Sequence, residues 1–185
     1  MAQENAPKGL ALLDREGTIM IAKVYLSDTA GIESDSTAIE GQRLLRDAGF
    51  ALVFITNQSR LAPGYFTLST FEEIHERLWS MLAGEGLRLD AIYFYPYGPD
   101  DRCNSRRPAP GMVRTVLSDL GFVPNVMLVI GHSETDMGAA AGVGVAGVRV
   151  WSAGNAPARG AGANFVEAAR HACDPLAERE GGEAT

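Results

Sequence analysis

Four short polar segments carry the residue types from which a site for anion chemistry could be built. They are DREGT at 14–18, TNQS at 56–59, RRP at 106–108 and GHSETD at 131–136. Carboxylates and imidazole transfer protons or bind divalent metal ions, and guanidinium groups pair well with phosphate. One segment alone would predict little, because an Asp that follows a strand is often a turn former or a helix cap.

The elements that must position these segments are predicted to form an α/β fold with a doubly wound parallel sheet. Short apolar runs alternate with amphipathic stretches from end to end, which is typical of parallel strands joined by crossover helices. Ligands of such sheets bind at the carboxyl ends of the strands, where the strand order reverses. Because each polar segment comes after a strand, we expect all four to meet at one edge of the sheet.

The apolar runs and the turn residues give the expected bounds of five strands and five helices. The strands are predicted at Gly9–Leu13, Phe50–Ile55, Ala91–Tyr95, Val126–Ile130 and Val145–Val150. The helices are predicted from about Ser36 to Ala48 with Ser34, Asp35 or Ser36 as N-cap, from Thr67 or Ser69 to about Ala83, from Pro110 to near Gly121, in the Ala- and Gly-rich stretch after 131–136, and at Asn164–Cys173.

Size and charge narrow the classes of function. The chain has 185 residues, of which 46% are hydrophobic and 21% are charged, so we expect one domain at 1–173 and a frayed tail at 174–185. The short stretches between the motifs leave little room for a separate cap domain. A net charge of −7 argues against nucleic acid or an anionic membrane as the main partner. The polar N-terminus favours a cytoplasmic location, and the oligomeric state stays open.

The order of the four segments resembles the haloacid dehalogenase superfamily. Its phosphatases carry D-x-D-G-T, then a Ser or Thr, then a Lys or Arg, and then an acidic motif such as G-D-x-x-x-D. The stretches ALLDREGTI, FALVFITNQSRLAPGYF, RRPAPGM and VIGHSETDMGAA are similar to bacterial D-glycero-D-manno-heptose 1,7-bisphosphate 7-phosphatases and the related histidinol-phosphate phosphatases. The likeness extends from about Leu10 to Ala169. It implies a phosphomonoester hydrolase that acts on a small phosphorylated metabolite such as a sugar phosphate.

The resemblance implies a role for each candidate residue. Asp14 would attack phosphorus and form an aspartyl-phosphate, and Glu16 would protonate the leaving oxygen and later activate water. The candidates for binding phosphate or substrate are Thr56, Asn57, Arg106 and Arg107, the last at the position of the family's lysine. Taken without the resemblance, the same positions are also compatible with plain turn formers and a solvated basic pair.

The implied metal site departs from the family at two positions. Mg²⁺ would be held by Asp14, by residue 16 and by the acidic motif, which makes the candidate ligands Asp14, Glu16, His132 and Asp136. Glu16 and His132 stand where the family has Asp. The extra methylene of Glu16 moves its carboxyl by roughly 1 Å, and imidazole favours another divalent metal such as Zn²⁺ or Co²⁺. Two alternatives remain open: His132 begins a helix and binds nothing, or the chain binds a phosphoryl ligand or a protein partner without turnover.

A structural zinc site, which many members of the family carry, is not expected here. The corresponding stretches are Tyr95-Pro96-Tyr97 and Cys103-Asn104-Ser105. Cys103 is the one ligand left of a C-x-H pair and a C-x-C pair, and a single thiolate cannot hold a tetrahedral zinc. The two histidines outside the motifs, His75 and His171, are predicted to be surface or packing residues.

Overall fold

The molecule is built on one parallel sheet with helices on both faces. The computed structural model describes residues 7–15, 17–19, 35–58, 67–95, 106–120, 126–150 and 164–182. Its strands are β1 (Gly9–Asp14), β2 (Phe50–Asn57), β3 (Ala91–Tyr95), β4 (Val126–Gly131) and β5 (Ala146–Arg149). Its helices are α1 (Ser36–Asp47), α2 (Leu68–Gly84), α3 (Gly111–Leu120), α4 (Glu134–Ala141) and α5 (Phe165–Gly182).

The strand order is β3-β2-β1-β4-β5, and every neighbouring pair is parallel. The chain therefore starts in the middle of the sheet, moves outward through β2 and β3, and returns to build the other half. This is the predicted doubly wound arrangement. The strand order reverses at β1, the strand that ends in Asp14.

Two apolar cores cover the two faces of the sheet. Along β1, Leu10 and Leu12 pack with buried residues of α3 and α4, whereas Ala11 and Leu13 pack with buried residues of α1, α2 and α5. All six residues of β1 are buried. A strand covered on both faces is apolar without alternation, which is why the central strands are readable as continuous apolar runs.

The helices that flank the site begin at short polar caps. The Asp35 carboxylate accepts a 2.8 Å hydrogen bond from the backbone N–H of Thr37, which identifies Asp35 as the N-cap of α1 among the three candidates. Thr67 caps α2 by accepting from the backbone N–H of Thr70. Each cap satisfies a backbone donor that the first helical turn leaves without a partner.

The last helix is longer than predicted. The helix expected at Asn164–Cys173 continues as α5 to Gly182, through most of the stretch that was expected to fray. Leu, Ala, Glu and Arg, which dominate residues 176–180, are good helix formers, whereas Pro175 is unfavourable inside a helix. Among the described residues, no helix has the length and apolar character needed to cross a bilayer.

Candidate functional site

Strand register brings the polar segments to one edge of the sheet. Asp14, the last residue of β1, is opposite Ile55 of β2, and Leu13 is opposite Ile130 of β4. The segments that follow β2 and β4 therefore start beside Asp14. Because all three strands are parallel, this edge is the carboxyl edge, where such sheets bind their ligands.

A buried guanidinium group joins the two carboxylates of the site. Arg107 donates from Nη2 to Asp14 Oδ1 at 2.7 Å and from Nη1 to Asp136 Oδ1. The side chains of Arg107, Asp14 and Asp136 are 7%, 3% and 0% exposed. Ion pairs this deeply buried are strongly coupled, because removing one partner leaves a charge in a medium of low dielectric.

His132 is the third group that contacts Asp14. Its Nδ1 lies 3.0 Å from Asp14 Oδ2 and 4.0 Å from Asp136 Oδ2. Because an ionised carboxylate only accepts hydrogen bonds, the Nδ1 nitrogen carries the proton in this contact. The His132 side chain is 35% exposed, so it forms the solvent-facing wall of the site. The Arg149 guanidinium donates to the His132 backbone carbonyl at 3.1 Å and holds this residue in place.

Asp136 is held by the start of its own helix. Ser133 caps α4, and its backbone N–H and hydroxyl donate to Asp136 Oδ2 at 3.0 and 2.7 Å. A Cβ on Gly131 would lie 2.4 Å from the Asp136 carboxyl carbon, so this position has no room for a side chain. The capping box thus fixes the orientation of a carboxylate that also belongs to the site.

The electrostatics of the site favour the ionised form of Asp14. Burial acts to raise the pKa of this carboxyl, but the charge of Arg107 and the hydrogen bond from His132 act in the opposite direction and outweigh it. The pKa of Asp14 therefore lies below its ordinary value. An ionised, oriented carboxylate is the form that a nucleophile needs.

Thr18 Oγ1, in the segment that follows β1, and Asn57 Oδ1, at the last residue of β2, are buried and make no hydrogen bond within the described part of the chain. Thr56, which is 2% exposed, accepts a 2.8 Å hydrogen bond from the Gln58 amide. A hydroxyl and an amide oxygen without partners among the described residues are suited to a bound group that supplies its own donors.

Some of the predicted site residues lie close together in the structure, and others are not among the residues that it describes. Arg106 is half-buried beside Arg107. Glu16 and the segment 96–105, which includes Cys103, lie outside the described residues. Glu134, which also belongs to the segment 131–136, does not contribute to the cluster: its carboxylate pairs with Arg149 and its side chain is 78% exposed.

Three of the predicted metal ligands are close enough to share an ion. Asp14, His132 and Asp136 each offer one ligand atom, and these atoms lie within 4.8 Å of one another. Two carboxylates and one imidazole are a mixed oxygen and nitrogen donor set that fits a divalent cation. These residues therefore fit a divalent metal ion. Asp14 and Asp136 would then contact both the ion and the Arg107 guanidinium.

Sequence reasoning missed the residues that hold the site residues in place. Gln58 orients Thr56, and Ser133 orients Asp136. The signal for Ser133 was available, because a Ser three residues before an acidic residue at a helix start is a capping-box pattern. No sequence signal predicts the buried contact of Arg15 with His75, 60 positions away.

Comparison with known proteins identifies relatives along most of the chain. This chain is 35% identical over 135 residues to the D-glycero-β-D-manno-heptose-1,7-bisphosphate 7-phosphatase of Yersinia pestis. The match covers 69% of this chain and 72% of that protein. The chain is 34% identical over 137 residues to the protein of the same name from Pseudomonas aeruginosa, which covers 74% of this chain and 77% of that protein. No family model matches the chain.

The fold is shared with solved structures of the same kind. The crystal structure of D,D-heptose 1,7-bisphosphate phosphatase from B. bronchiseptica, complexed with magnesium and phosphate, superposes with a TM-score of 0.78. That protein is 27% identical, and the match covers 90% of this chain and 98% of the other. These comparisons confirm the predicted α/β fold and the predicted family.

Proposed function

The chain belongs to the haloacid dehalogenase-type family of the D-glycero-β-D-manno-heptose-1,7-bisphosphate 7-phosphatases, and we propose that it hydrolyses a phosphomonoester of a small phosphorylated sugar. The single observation that carries the proposal is the placement of Asp14. Its carboxylate is buried, is held ionised and lies at the carboxyl edge beside two further charged side chains. Because this chain is about 35% identical to the named relatives, its sugar substrate is to be identified by a screen of sugar phosphates.

The reaction has two steps on one carboxylate. An Asp14 oxygen attacks phosphorus, the bond from phosphorus to the sugar oxygen breaks, and Glu16 gives the departing oxygen a proton. Glu16 then takes a proton from water as the water oxygen attacks phosphorus, which breaks the acyl-phosphate bond and releases phosphate. Arg107 balances the charge on the phosphoryl oxygens. The site residues that bind the phosphoryl group or the substrate are Thr56, Asn57, Arg106 and Arg107.

A divalent metal ion belongs to this proposal. Asp14, His132 and Asp136 would hold it together with residue 16, and when bound it would offset the repulsion between the carboxylate and the phosphate. The proposed ion is Mg²⁺ or another divalent metal that accepts imidazole. The proposal includes no structural zinc, and metal analysis of the purified protein is expected to find no stoichiometric zinc that disappears on Cys103→Ala.

The test is phosphate release from sugar phosphates, including D-glycero-β-D-manno-heptose 1,7-bisphosphate, in the presence of Mg²⁺, Mn²⁺, Co²⁺ or Zn²⁺. The parent is expected to release phosphate with at least one metal. Asp14→Asn is expected to lower kcat by about 10³-fold or more, since the nucleophile is lost. Arg170→Gln on the exposed face of α5 is the matched control and is expected to behave as the parent. A fully active Asp14→Asn variant would contradict the proposal.

A second candidate function is binding of a phosphoryl ligand or a protein partner without turnover. It is favoured by the occupation of both Asp14 oxygens, Oδ1 by Arg107 and Oδ2 by His132. A hydrogen bond on each oxygen draws charge from the carboxylate and makes it a weaker nucleophile. Inorganic phosphate that binds in calorimetry, with no hydrolysis of any phosphomonoester by the parent, would favour this function over the first.

A further inference from the structure

A buried cation directly follows the proposed nucleophile and contacts a histidine of α2. Arg15 is 2% exposed, and its Nη1 lies 3.3 Å from Nε2 of His75 on α2. His75 itself is 7% exposed. A buried guanidinium is costly unless acceptors surround it, so the contact with His75 is a specific feature that neither the sequence motifs nor the proposed reaction accounts for.

The partners of the His75 ring define which nitrogen carries the proton. Nδ1 lies 2.8 Å from the backbone carbonyl oxygen of Phe71, and a carbonyl only accepts hydrogen bonds. Nε2 faces the Arg15 guanidinium, which only donates. Both contacts are hydrogen bonds only when Nδ1 is protonated and Nε2 is not. His75 is therefore the neutral Nδ1–H tautomer and acts as an acceptor for Arg15.

The surroundings hold the His75 ring in a fixed orientation. The Phe71 ring packs on it with a centroid distance of 4.0 Å, and Phe71 packs in turn on Phe94 at 4.3 Å. These side chains line a surface groove of about 270 Å³, in which the charged lining residues are Glu72 and Glu76. A ring fixed by packing and by one hydrogen bond to its own helix is a rigid acceptor.

The contact anchors the loop that leaves the nucleophile. Within this loop the backbone N–H of Ile19 donates to the Arg15 carbonyl at 3.1 Å. Gly17 has φ +70, and a Cβ at this position would lie 3.0 Å from Cγ of His132. The loop therefore packs against the ring that donates to Asp14. A shift of Arg15 would move Gly17 relative to the His132 ring and would thereby change the contact between His132 and Asp14.

We propose that His75 is a positioning residue for the reaction at Asp14, acting through Arg15 and the loop at 15–19. The proposal rests on the proposed function, because it concerns the same nucleophile. His75 touches neither the metal ligands nor the phosphate site among the contacts described. Its effect is on the geometry of the attacking carboxylate, which affects kcat rather than substrate binding.

Two variants of His75 separate this role from simple packing. His75→Leu keeps an apolar volume but removes the acceptor, and His75→Gln supplies an amide oxygen near the position of Nε2. We expect His75→Leu to lower kcat by roughly tenfold or more with KM within about twofold, because misplacement on the order of 1 Å has effects of this size. His75→Gln is expected to recover most of the loss. His171→Leu on the exposed side of α5 is the control.

A double-mutant cycle tests whether His75 acts through Arg15. Arg15→Met removes the donor, and the Arg15→Met/His75→Leu pair is expected to be no slower than Arg15→Met alone, since both changes break one contact. Multiplying effects would overturn the proposal. So would a kcat of His75→Leu within about twofold of the parent, or equal losses in His75→Leu and His75→Gln, which indicate packing alone.

Two measurements that need no turnover keep this proposal separate from the proposed function. Orthovanadate adopts the five-coordinate geometry of phosphorus in the transition state, so its affinity, measured by calorimetry, is expected to fall in His75→Leu by the same factor as kcat. The ¹⁵N chemical shifts of His75 are expected to report the Nδ1–H tautomer. If the parent hydrolyses no substrate, the proposed function fails. In that case the role of His75 is still tested: it would be overturned if vanadate bound His75→Leu as tightly as the parent, or if the chemical shifts showed the Nε2–H tautomer.

Discussion

At the scale of the residue, the site is defined by what surrounds Asp14. One oxygen accepts from Arg107 and the other from His132, and the net effect of these neighbours is a pKa of Asp14 below its ordinary value. His132 takes the place of an acidic residue in the family pattern, so it removes one negative charge and one hard oxygen ligand. We therefore expect this exchange to change the preference of the proposed site among metal ions.

The two unusual residues, Glu16 and His132, can be tested together. We expect Glu16→Asp with His132→Asp to raise Mg²⁺-dependent hydrolysis of a generic phosphomonoester by about tenfold or more, because the carboxyl moves back and an oxygen ligand returns. His132→Asp alone is expected to shift the metal preference toward Mg²⁺. The measurement is kcat/KM with each metal.

Adding Asp14→Asn to the double variant is the control and is expected to abolish the gain. The two changes act on the same transition state, so their effects need not add. A parent that turns over quickly with Mg²⁺ and is slowed by the double change would show that Glu16 and His132 are adaptations to a different substrate.

At the scale of the element, close approaches of helices and strands set the geometry. Gly41 in the middle of α1 is buried against α5, and a Cβ at this position would lie 2.4 Å from Phe165 Cδ1 and 2.9 Å from the Phe165 carbonyl oxygen. The two helices cover one face of the sheet behind β1. The glycine is needed here for space between the helices.

Gly41→Ala is therefore expected to lower the free energy of unfolding by about 1–3 kcal/mol, the usual effect of overpacking. The intrinsic gain of Ala over Gly in a helix is about 1 kcal/mol and is outweighed by the clash. Urea unfolding followed by circular dichroism measures the change. Gly84→Ala at the end of α2 is the matched control and is expected to keep or slightly raise the stability. Apart from its own helix backbone and chain neighbours, no atom of the described residues lies within 4 Å of its added Cβ.

At the scale of the whole molecule, an acidic chain contains a local cluster of cationic groups. The net charge is −7, yet Arg107 and Arg15 are both buried near the end of β1. The buried carboxylates of the site offset the charge of Arg107 in the absence of phosphate. The stability of the folded state is therefore expected to depend on Asp14 being ionised.

This dependence predicts how stability responds to acid in the metal-free protein. The pKa of Asp14 is lowered by folding, so its contribution is present above the unfolded value of about 3.9 and is lost as the pH falls through the folded value. Asp14→Asn is expected to reduce the slope of unfolding free energy against pH in this acidic range by up to about 1.4 kcal/mol per pH unit.

Urea unfolding at a series of pH values with a chelator present measures this slope. Asp47→Asn, at an exposed position near the end of α1, is the control for the loss of one carboxylate. An Asp14→Asn variant with the same acid dependence as the parent would contradict a stabilising role for the ionised Asp14.

The sequence by itself determined the order of the elements and which polar segments follow the strands. The apolar runs predicted all five strands to within two residues, since a strand buried on both faces must be apolar along its length. The order of polar segments predicted the family, and the parallel sheet predicted the edge at which Asp14 and Asp136 meet. Each of these patterns lies within a short segment of the chain, so a single sequence is enough to recognise it.

The tertiary structure alone decided which charged groups touch. The bridge from Arg107 to both carboxylates, the hydrogen bond from His132 to Asp14 and the contact of Arg15 with His75 join residues that are 29 to 118 positions apart. Residue types show that these groups are able to pair, but the partner of each depends on the register of the sheet and on how the helices cover it. Contacts over such separations are products of the assembled fold, and no pattern within one segment encodes them.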